Sequence, residues 1–462
     1  MAGQGSQSKI GLKVQSAAGT GAEPTTALPV KSANITAPKP LIFSETIGGN
    51  GMKDNAVAGD AESSGAIVQE YDGESSGNLV WYATGANGYT AAGAVTEGQI
   101  TTAPGATAGS TGATIPSGDY IYSVAAIWTH DFTGVNVLMP DSAGNTAETV
   151  TLGEEVVLTW TDPTGLTFTD HTYKGTAVYR SDVDDALSTA KFIKYVDGTA
   201  ATWTDTGADA RDTNISPVAN TSIYKHTFKG AAAASGQDRL KYFTAQISKN
   251  VTDDFRYIDN KASDLALAIS DRASVIELTM NVIGGAESIE DGEYSASAPT
   301  IRRQSLGRDV ALAIDGTKNC DIQGLTITLN NNLERLNTLC GVSISEGDRE
   351  ITGDMTLIFN DTDLASATIN AEEIDVKLFI QGEPLVTSGA ALTSGTHGVT
   401  AIPFQRYTKV DIPRAALGEY SAPLEGPGQI IASASFGALY DSVAATDMTI
   451  TMYNTVAVYN GA

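Results

Sequence analysis

The chain has 462 residues, with 28 basic against 54 acidic side chains and a formal net charge of −26. That balance excludes a basic surface for gripping nucleic acid, because neutralising phosphates takes Lys and Arg. With 42% apolar and 18% charged residues and 47 glycines, the composition is that of a globular chain of short strands and turns, in about two to four domains.

The opening "MAGQGSQSKIGLKVQ" lacks the apolar core of a signal peptide. No stretch reaches the roughly 20 apolar residues of a membrane span, so no membrane insertion is expected. Ile10, Leu12 and Val14 alternate as in a strand, and "SANITAPKP" places Ile35 in the next one. A long polar loop covers about 37–64, longer than an ordinary hairpin connection. "GDAESSGAIVQEYD" (Gly59 to Asp72) reads as a strand, and "GESSGNLVWYATG" after it as a helix carrying Leu79, Val80 and Tyr82. Residues 86–118 read as a Gly/Ala/Thr linker. "GDYIYSVAAIW", "EEVVLTWTDPTG", "GTAVYRSD", "AKFIKYVDG" and "AATWTDTGAD" follow as short strands at the rhythm of a β-sandwich.

Further on, the early pattern returns. Val310, Leu312 and Ile314 alternate like Ile10, Leu12 and Val14, an offset of 300. Ile327 in "QGLTITLNNN" matches Ile35 at 292, and "GDREITGDMTLIFN" matches "GDAESSGAIVQEYD" at 288. The duplicated strand pairs Gly59, Asp60, Glu62, Gly65, Ile67 and Tyr71 with Gly347, Asp348, Glu350, Gly353, Met355 and Phe359. A second polar loop, about 330–352, precedes the second copy, and "TDLASATINAE" after it reads as a helix with Asp361 or Thr362 as N-cap. "IELTMN" near Thr279 matches "MTITMYN" near Thr451 at 172. The fall of 288 − 172 = 116 implies one inserted domain in the first copy. The expected organisation is a first copy over 1–100 and 219–300, an insertion over 101–218, and a second copy over 301–462. The insertion carries 5 basic and 15 acidic residues, as expected of a soluble outward decoration whose removal leaves the rest intact.

The inserted strands, through Tyr120, Tyr122, Val124 and Ala126, Leu158 to Trp160, Val178 to Arg180 and Thr204 to Gly207, resemble the fibronectin type III and immunoglobulin-like modules of phage structural proteins. Trp160 and Tyr179 are expected in its core. The rest, above all "LTITLNNNLERLNTLCGVSISEGDREITGDMTLIFND" and "KVDIPRAALGEYSAPLEGPGQIIASASFGALYD", resembles the major tail tube proteins of long-tailed bacteriophages, of the non-contractile type. The resemblance implies a mainly β fold: duplicated β-sandwich or half-barrel units, each with a flanking helix, plus the inserted sandwich. It implies rings that stack through the long loops, no enzyme activity and no cofactor. The partners it implies are other copies of the chain, a tape measure protein, terminator and tip proteins, and double-stranded DNA only in transit. Assembly is expected in the host cytoplasm. Two units per chain suit a trimeric, pseudo-sixfold ring, with a hexamer as the other possibility. Ring-stacking candidates are Asn50, Lys53, Asp54 and Asp60 in the first loop and Asn331, Asn332, Glu334, Arg335, Asn337, Glu346, Asp348 and Arg349 in the second.

Chemical motifs are sparse. "GESSG" fits the hydrolase elbow around Ser75, but no alternating β/α units surround it, and the second copy has no Ser at that position. "SDVDDALSTAKF" has three aspartates but puts Leu187 and Ile193 where a calcium loop needs Gly and Glu. His130, His171, His226 and His397 show no metal-ligand spacing. Cys320 and Cys340 fit no metal or redox motif; they are taken as a buried thiol pair, with a disulfide left open. A surface adhesin or S-layer-like protein with a glycan- or host-binding module is the competing functional reading.

Overall fold

The structure, a computed structural model, describes residues 8–43, 56–85, 89–94, 97–161, 168–217, 223–230, 238–249, 253–291, 297–338, 341–360, 363–385, 392, 398–424 and 428–459. The fold is mainly β, with two short α-helices among the described residues. The chain begins with β1 (Lys9–Val14), β2 (Ala27–Leu28), β3 (Ser32–Ala33), β4 (Leu41–Phe43), β5 (Ala56–Ala58), β6 (Ser63–Glu70) and α1 (Ser76–Thr84). Next come β7 (Tyr89–Ala94), β8 (Gly105–Thr111), β9 (Gly118–Tyr120), β10 (Tyr122–His130), β11 (Asn136–Leu138), β12 (Glu148–Val150), β13 (Glu154–Thr159), β14 (His171–Arg180), β15 (Lys191–Asp197), β16 (Thr202–Asp205) and β17 (Tyr224–Lys229). Then follow β18 (Phe243–Ser248), β19 (Asp253–Ile269), β20 (Glu277–Gly284), β21 (Glu287–Asp291), β22 (Val310–Ile314), β23 (Thr317–Asn319) and β24 (Ile322–Asn330). The last are β25 (Leu333–Thr338), β26 (Gly341–Glu346), β27 (Glu350–Ile358), α2 (Asp363–Asn370), β28 (Glu373–Pro384), β29 (Ile402–Pro403), β30 (Gln405–Ser421), β31 (Ile431–Ala438) and β32 (Thr449–Asn454).

Two sets of these elements share one order and one scheme of partners. In the N-terminal set β1 pairs with β2 and β18, β3 with β6, β6 with β20, β18 with β19, and the long β19 with β20 and β21. In the C-terminal set β22 pairs with β23 and β28, β24 with β27, β27 with β31, β28 with β30, and the long β30 with β31 and β32. A hairpin, β4–β5 or β25–β26, precedes β6 or β27, and a helix follows it. The register agrees too. The N–H groups of Asn34 and Thr36 bond to the carbonyls of Ala66 and Ser64, which sets Ile35 opposite Gly65. Ile327 stands opposite Gly353, the residues that the offsets of 292 and 288 equate with them.

The later match does not follow this scheme. β20, which carries "IELTMN", lies beside β6 where the C-terminal set has β31. β32, which carries "MTITMYN", takes the place of β21 beside the first half of the long strand. The similarity of Thr-x-Met wording misled, because β31 reads "IASASFGA" and shares almost no letters with β20. Partners give a better alignment. Leu12 faces Ala245 and Leu312 faces Leu378, an offset of 378 − 245 = 133. Between the helix and this strand the N-terminal set is therefore 288 − 133 = 155 positions longer than the C-terminal set, a stretch that lies between α1 and β18. It includes β7 and β17, which extend the C-terminal set's sheet beyond β32. The stretch expected to be a linker contains β7 and β8.

The two sets meet through main-chain pairing. The end of β19, Asp264 to Ile269, pairs antiparallel with Leu325 to Asn330 of β24. One sheet thus runs β3–β6–β20–β19–β24–β27–β31–β30 across both sets. Its strands alternate, and one face buries Ile67, Leu278, Leu265, Ile327, Met355 and Ala434 in a single core. Burying each of the five larger of these side chains contributes roughly 1.5–3 kcal/mol, before the entropy of ordering the chain is set against it. At Gly353 the close approach of that core excludes a side chain: a Cβ would lie 2.1 Å from Cζ of Phe436.

Within that stretch a sandwich sets β10, β11, β14 and β15 against β8, β13 and β16. Tyr122, Val124, Trp128, Val156 and Leu158 share its core with Trp160, as expected, whereas Tyr179 is buried in a separate cluster with Ala125, Phe192 and Leu392. It is not a free outward decoration. Phe379, Phe404, Tyr407 and Tyr453 of the C-terminal set belong to the same apolar cluster, and β11 pairs in parallel with β29. The run "VKLFI" in β28 shows why: Leu378 and Phe379 point to opposite faces and both are buried, so this sheet is covered on both sides. The matching strand of the N-terminal set, β18, carries Thr244, Gln246 and Ser248 on that face. There the connection after β1 provides cover, with the N–H of Ala22 donating to Oγ1 of Thr244 at 2.9 Å.

Candidate assembly surfaces

From β6 to β31 the face of the continuous sheet opposite the core is open. Reading across the register, Glu70 faces Glu277, Ala268 faces both Glu277 and Thr326, and Thr326 faces Asp354. Two rows along, Asn281 faces Asp264, Asp264 faces Asn330, and Asn330 faces Glu350. The remaining outward positions on these strands are mostly Ser, Thr and Ala, for example Ser64, Thr279, Thr328, Thr352, Thr356 and Ser433. Five carboxylates, Glu70, Asp264, Glu277, Glu350 and Asp354, stand on this face, and β6, β20, β24, β27 and β31 place no Lys, Arg or His there; at the β30 end Arg414 is paired with Glu373, and Lys261 of β19 is buried under hairpin β25–β26 against Glu346. Lys31, at the rim, ion-pairs with Glu277.

The second loop is a β-hairpin, and much of it is engaged within the chain. Asn331 is fully buried; its amide donates to the carbonyls of Ala83, at the end of α1, and Ala262, in β19, both at 3.0 Å. Glu346 accepts the N–H groups of Arg239 and Leu240 at 3.0 Å and the Lys261 ammonium at 2.7 Å. Burial alone would lower the Lys261 pKa, but hydrogen bonds to Glu346 and Asp238 outweigh it and hold the ammonium above its ordinary value. Arg335 donates to the carbonyl of Ala61 at 2.7 Å and pairs with Glu62 at 3.3 Å. Arg349 pairs with Asp447 and is pushed down to about 10 by burial, with a smaller push from Arg239. Asn331, Arg335, Glu346 and Arg349 thus join parts of one chain. Asn332, Glu334, Asn337 and Asp348 stay exposed, as does Asp60. Asn50, Lys53 and Asp54 lie outside the described residues, as do the helix-cap candidates Asp361 and Thr362.

Within the duplicated strand, Ile67 and Met355 are core, and Glu350 stands on the open face. Tyr71 is buried and donates to Oγ1 of Thr408 at 2.5 Å, tying the two sets together. The N–H of Gly59 bonds to the Pro40 carbonyl at 2.7 Å, that of Gly347 to the Asn332 carbonyl at 3.0 Å, and that of Phe359 to the Ile430 carbonyl at 3.0 Å.

Equivalent elements differ in how they are covered. α1 is buried along its length, including Leu79, Trp81 and Ala83. α2 buries Ala367 alone among its residues and leaves Ile369 84% exposed. Hairpin β25–β26 packs on the N-terminal set as described, whereas Leu41, Ile42 and Val57 of β4–β5 are each more than 60% exposed. Sequence reading missed this contrast; the apolar "LIF" inside a supposedly polar loop was the available signal.

The catalytic motif has a structural use. The Asp72 carboxylate accepts the N–H groups of Glu74 and Ser75 at 2.8 Å and the Ser75 hydroxyl at 2.5 Å, closing the turn into α1. Asp182 pairs with Arg211. No cluster able to hold a metal occurs among the described residues, and no described helix is long and apolar enough to cross a membrane. Cys320 is exposed, which rules out the buried thiol pair; Cys340 lies outside the described residues.

The fold is mainly β, and its two like sets share one sheet. The chain belongs to the phage tail tube protein family, whose model matches residues 5–438. It is therefore a structural tail tube protein and a component of the virion tail. A comparison with individually curated proteins finds no match.

Proposed function

We propose that this chain is the repeating subunit of a tail tube: copies join into rings, rings stack, and double-stranded DNA passes through the channel on ejection. The observation that carries the reading is the open face of the continuous sheet, with its hydroxyls and its five carboxylates, while the cations at its rim, Lys31 and Arg414, are each paired with a carboxylate. DNA presents one negative charge per roughly 1.7 Å of axis. A wall of like charge repels it within about 8 Å at physiological salt, so the polymer slides and is not held. The two sets are read as a duplicated tube unit, the first interrupted by the sandwich, so three chains supply six units around a ring. A non-contractile tail, assembly in the host cytoplasm, and contacts with a tape measure protein and terminator and tip proteins belong to the same reading.

Negative-stain microscopy of the purified protein tests it. Stacked rings with a central channel are expected, and replacing Glu70, Glu277 and Asp354 by Lys is expected to make such tubes retain DNA at low salt. Monomers under all conditions would refute the reading.

A further inference from the structure

Of the arginines, ten form an ion pair with a carboxylate of the chain. The other two, Arg272 and Arg308, form none with a described carboxylate, and they line the same cleft, of about 690 Å³, at the end of β24 away from hairpin β25–β26. Lys318, likewise without an ion pair among the described residues, lines it too. In a chain of net charge −26 such a trio is the exception. Its cause is local. Each arginine has an aspartate beside it in sequence, and each aspartate is held to another task. Asp271 accepts the N–H groups of Ala273 at 2.6 Å and Ser274 at 2.9 Å and the Ser274 hydroxyl at 2.6 Å. Asp309 accepts the N–H of Leu306 at 3.0 Å and pairs with Arg303 at 3.5 Å. The two loops are locked together: the N–H of Gly307 bonds to the Ser274 carbonyl at 3.0 Å, and a Cβ on Gly307 would lie 2.0 Å from the Asp271 carbonyl oxygen. Both guanidinium groups thus sit on one fixed seat. Below them the cleft reaches the apolar side chains of Ile269, Leu312 and Leu325.

We infer that this cleft binds an acidic peptide segment of a partner protein, with carboxylates on the cationic rim and one aliphatic side chain against the apolar floor. The guanidinium fork matches a carboxylate through two parallel hydrogen bonds, and the Lys318 ammonium adds a point charge. The volume falls within the roughly 300–1,000 Å³ of ordinary ligand pockets. Because the three cations are free, an incoming carboxylate breaks no internal ion pair, and the association costs only the desolvation of exposed groups. A nucleic acid fits less well. Its sugar-phosphate chain offers no aliphatic group to the floor, and beyond this one cleft it meets a strongly acidic protein. An acidic segment feels the same general repulsion, so the attraction is short-ranged and weakens as salt is raised. The site is independent of the tube reading.

The test titrates a fluorescent synthetic peptide of three glutamates and one leucine with the full-length chain at low salt and reads its anisotropy. Saturable binding is expected, with Arg272→Gln and Arg308→Gln each weakening it about tenfold. Lys39→Gln, an equal loss of charge at an exposed site elsewhere, is expected to leave it unchanged. Both arginines are exposed, so their variants are expected to keep the wild-type unfolding midpoint. Cys320 is exposed and lines the cleft, so in a chain carrying Cys340→Ser the peptide is expected to slow its modification by a neutral thiol reagent. No saturable binding, wild-type affinity in both arginine variants, or equal binding of a peptide of three lysines and one leucine would overturn the inference. Inorganic pyrophosphate binding as tightly as the acidic peptide would overturn the assignment to a peptide. Cys320 shielded by assembly of the chain alone, with no peptide bound, would overturn it in favour of contact between copies.

Discussion

Replacing Asn331 by Ala separates a pin inside the chain from an exposed stacking contact. The amide donates two hydrogen bonds at 3.0 Å, to Ala83 and Ala262, and its oxygen lies 3.3 Å from the Arg239 guanidinium. Each donated bond contributes about 1 kcal/mol net, and stranding a buried acceptor costs about 1–3 kcal/mol. A loss of about 2–4 kcal/mol is expected, read as a lower urea midpoint with an unchanged slope. Asn331→Asp keeps the volume and the acceptor for Arg239 but loses both donors and sets a carboxylate against two carbonyl oxygens. It is expected to be at least as damaging. A wild-type midpoint for Asn331→Ala, combined with failure of rings to stack, would refute this assignment and return Asn331 to the stacking surface.

Gly353→Ala is expected to destabilise by about 1–3 kcal/mol through its clash with Phe436; Gly437→Ala, with nothing within 4 Å of its Cβ, is the control and is expected to be neutral by thermal unfolding. His130 is buried against His171, Tyr407, Phe379 and Phe132, near Asp170, Lys409 and Lys318, and burial, then His171, lowers its pKa to about 4. The neutral ring is the native form, so its contribution is complete above about pH 6.5 and falls as pH drops towards 4, by about 3 kcal/mol in all. Unfolding monitored from pH 7 to 4 is expected to show this loss, and His130→Gln to remove most of it; equal slopes for both proteins would argue against it. Deleting residues 101–217 is expected to give insoluble protein, because it strips the cover from Phe379, Phe404, Tyr407 and Tyr453; soluble tubes from that deletion, checked by sedimentation and microscopy, would show that the face tolerates water.

What the sequence disclosed followed from local rules. β1, β3 and β6 and their counterparts β22, β24 and β27 were legible because period-two alternation and a shared Gly mark one buried face. α1 was legible from its apolar cluster after a polar turn. β31 was not matched to β20, because both satisfy the same pattern with different letters, and pairing rather than wording makes them equivalent. The docking of the sandwich was hidden because a strand covered on both faces reads as a plain apolar run. Exposed and engaged hairpin residues could not be separated either: Glu346 and Asp348 look alike on the page, and only the approach of Lys261 and Arg239 tells them apart.

The β19–β24 junction has a kinetic consequence. A ring of six separate units must bring together six bodies and form six contacts from solution, each association losing translational and rotational freedom. Tethering the units in pairs makes every second contact unimolecular, at an effective concentration set by the connecting chain and not by the number of molecules in the cell. In the proposed ring of three chains, three of the six junctions form as the chains fold, so its nucleation would depend on the third power of subunit concentration and not the sixth.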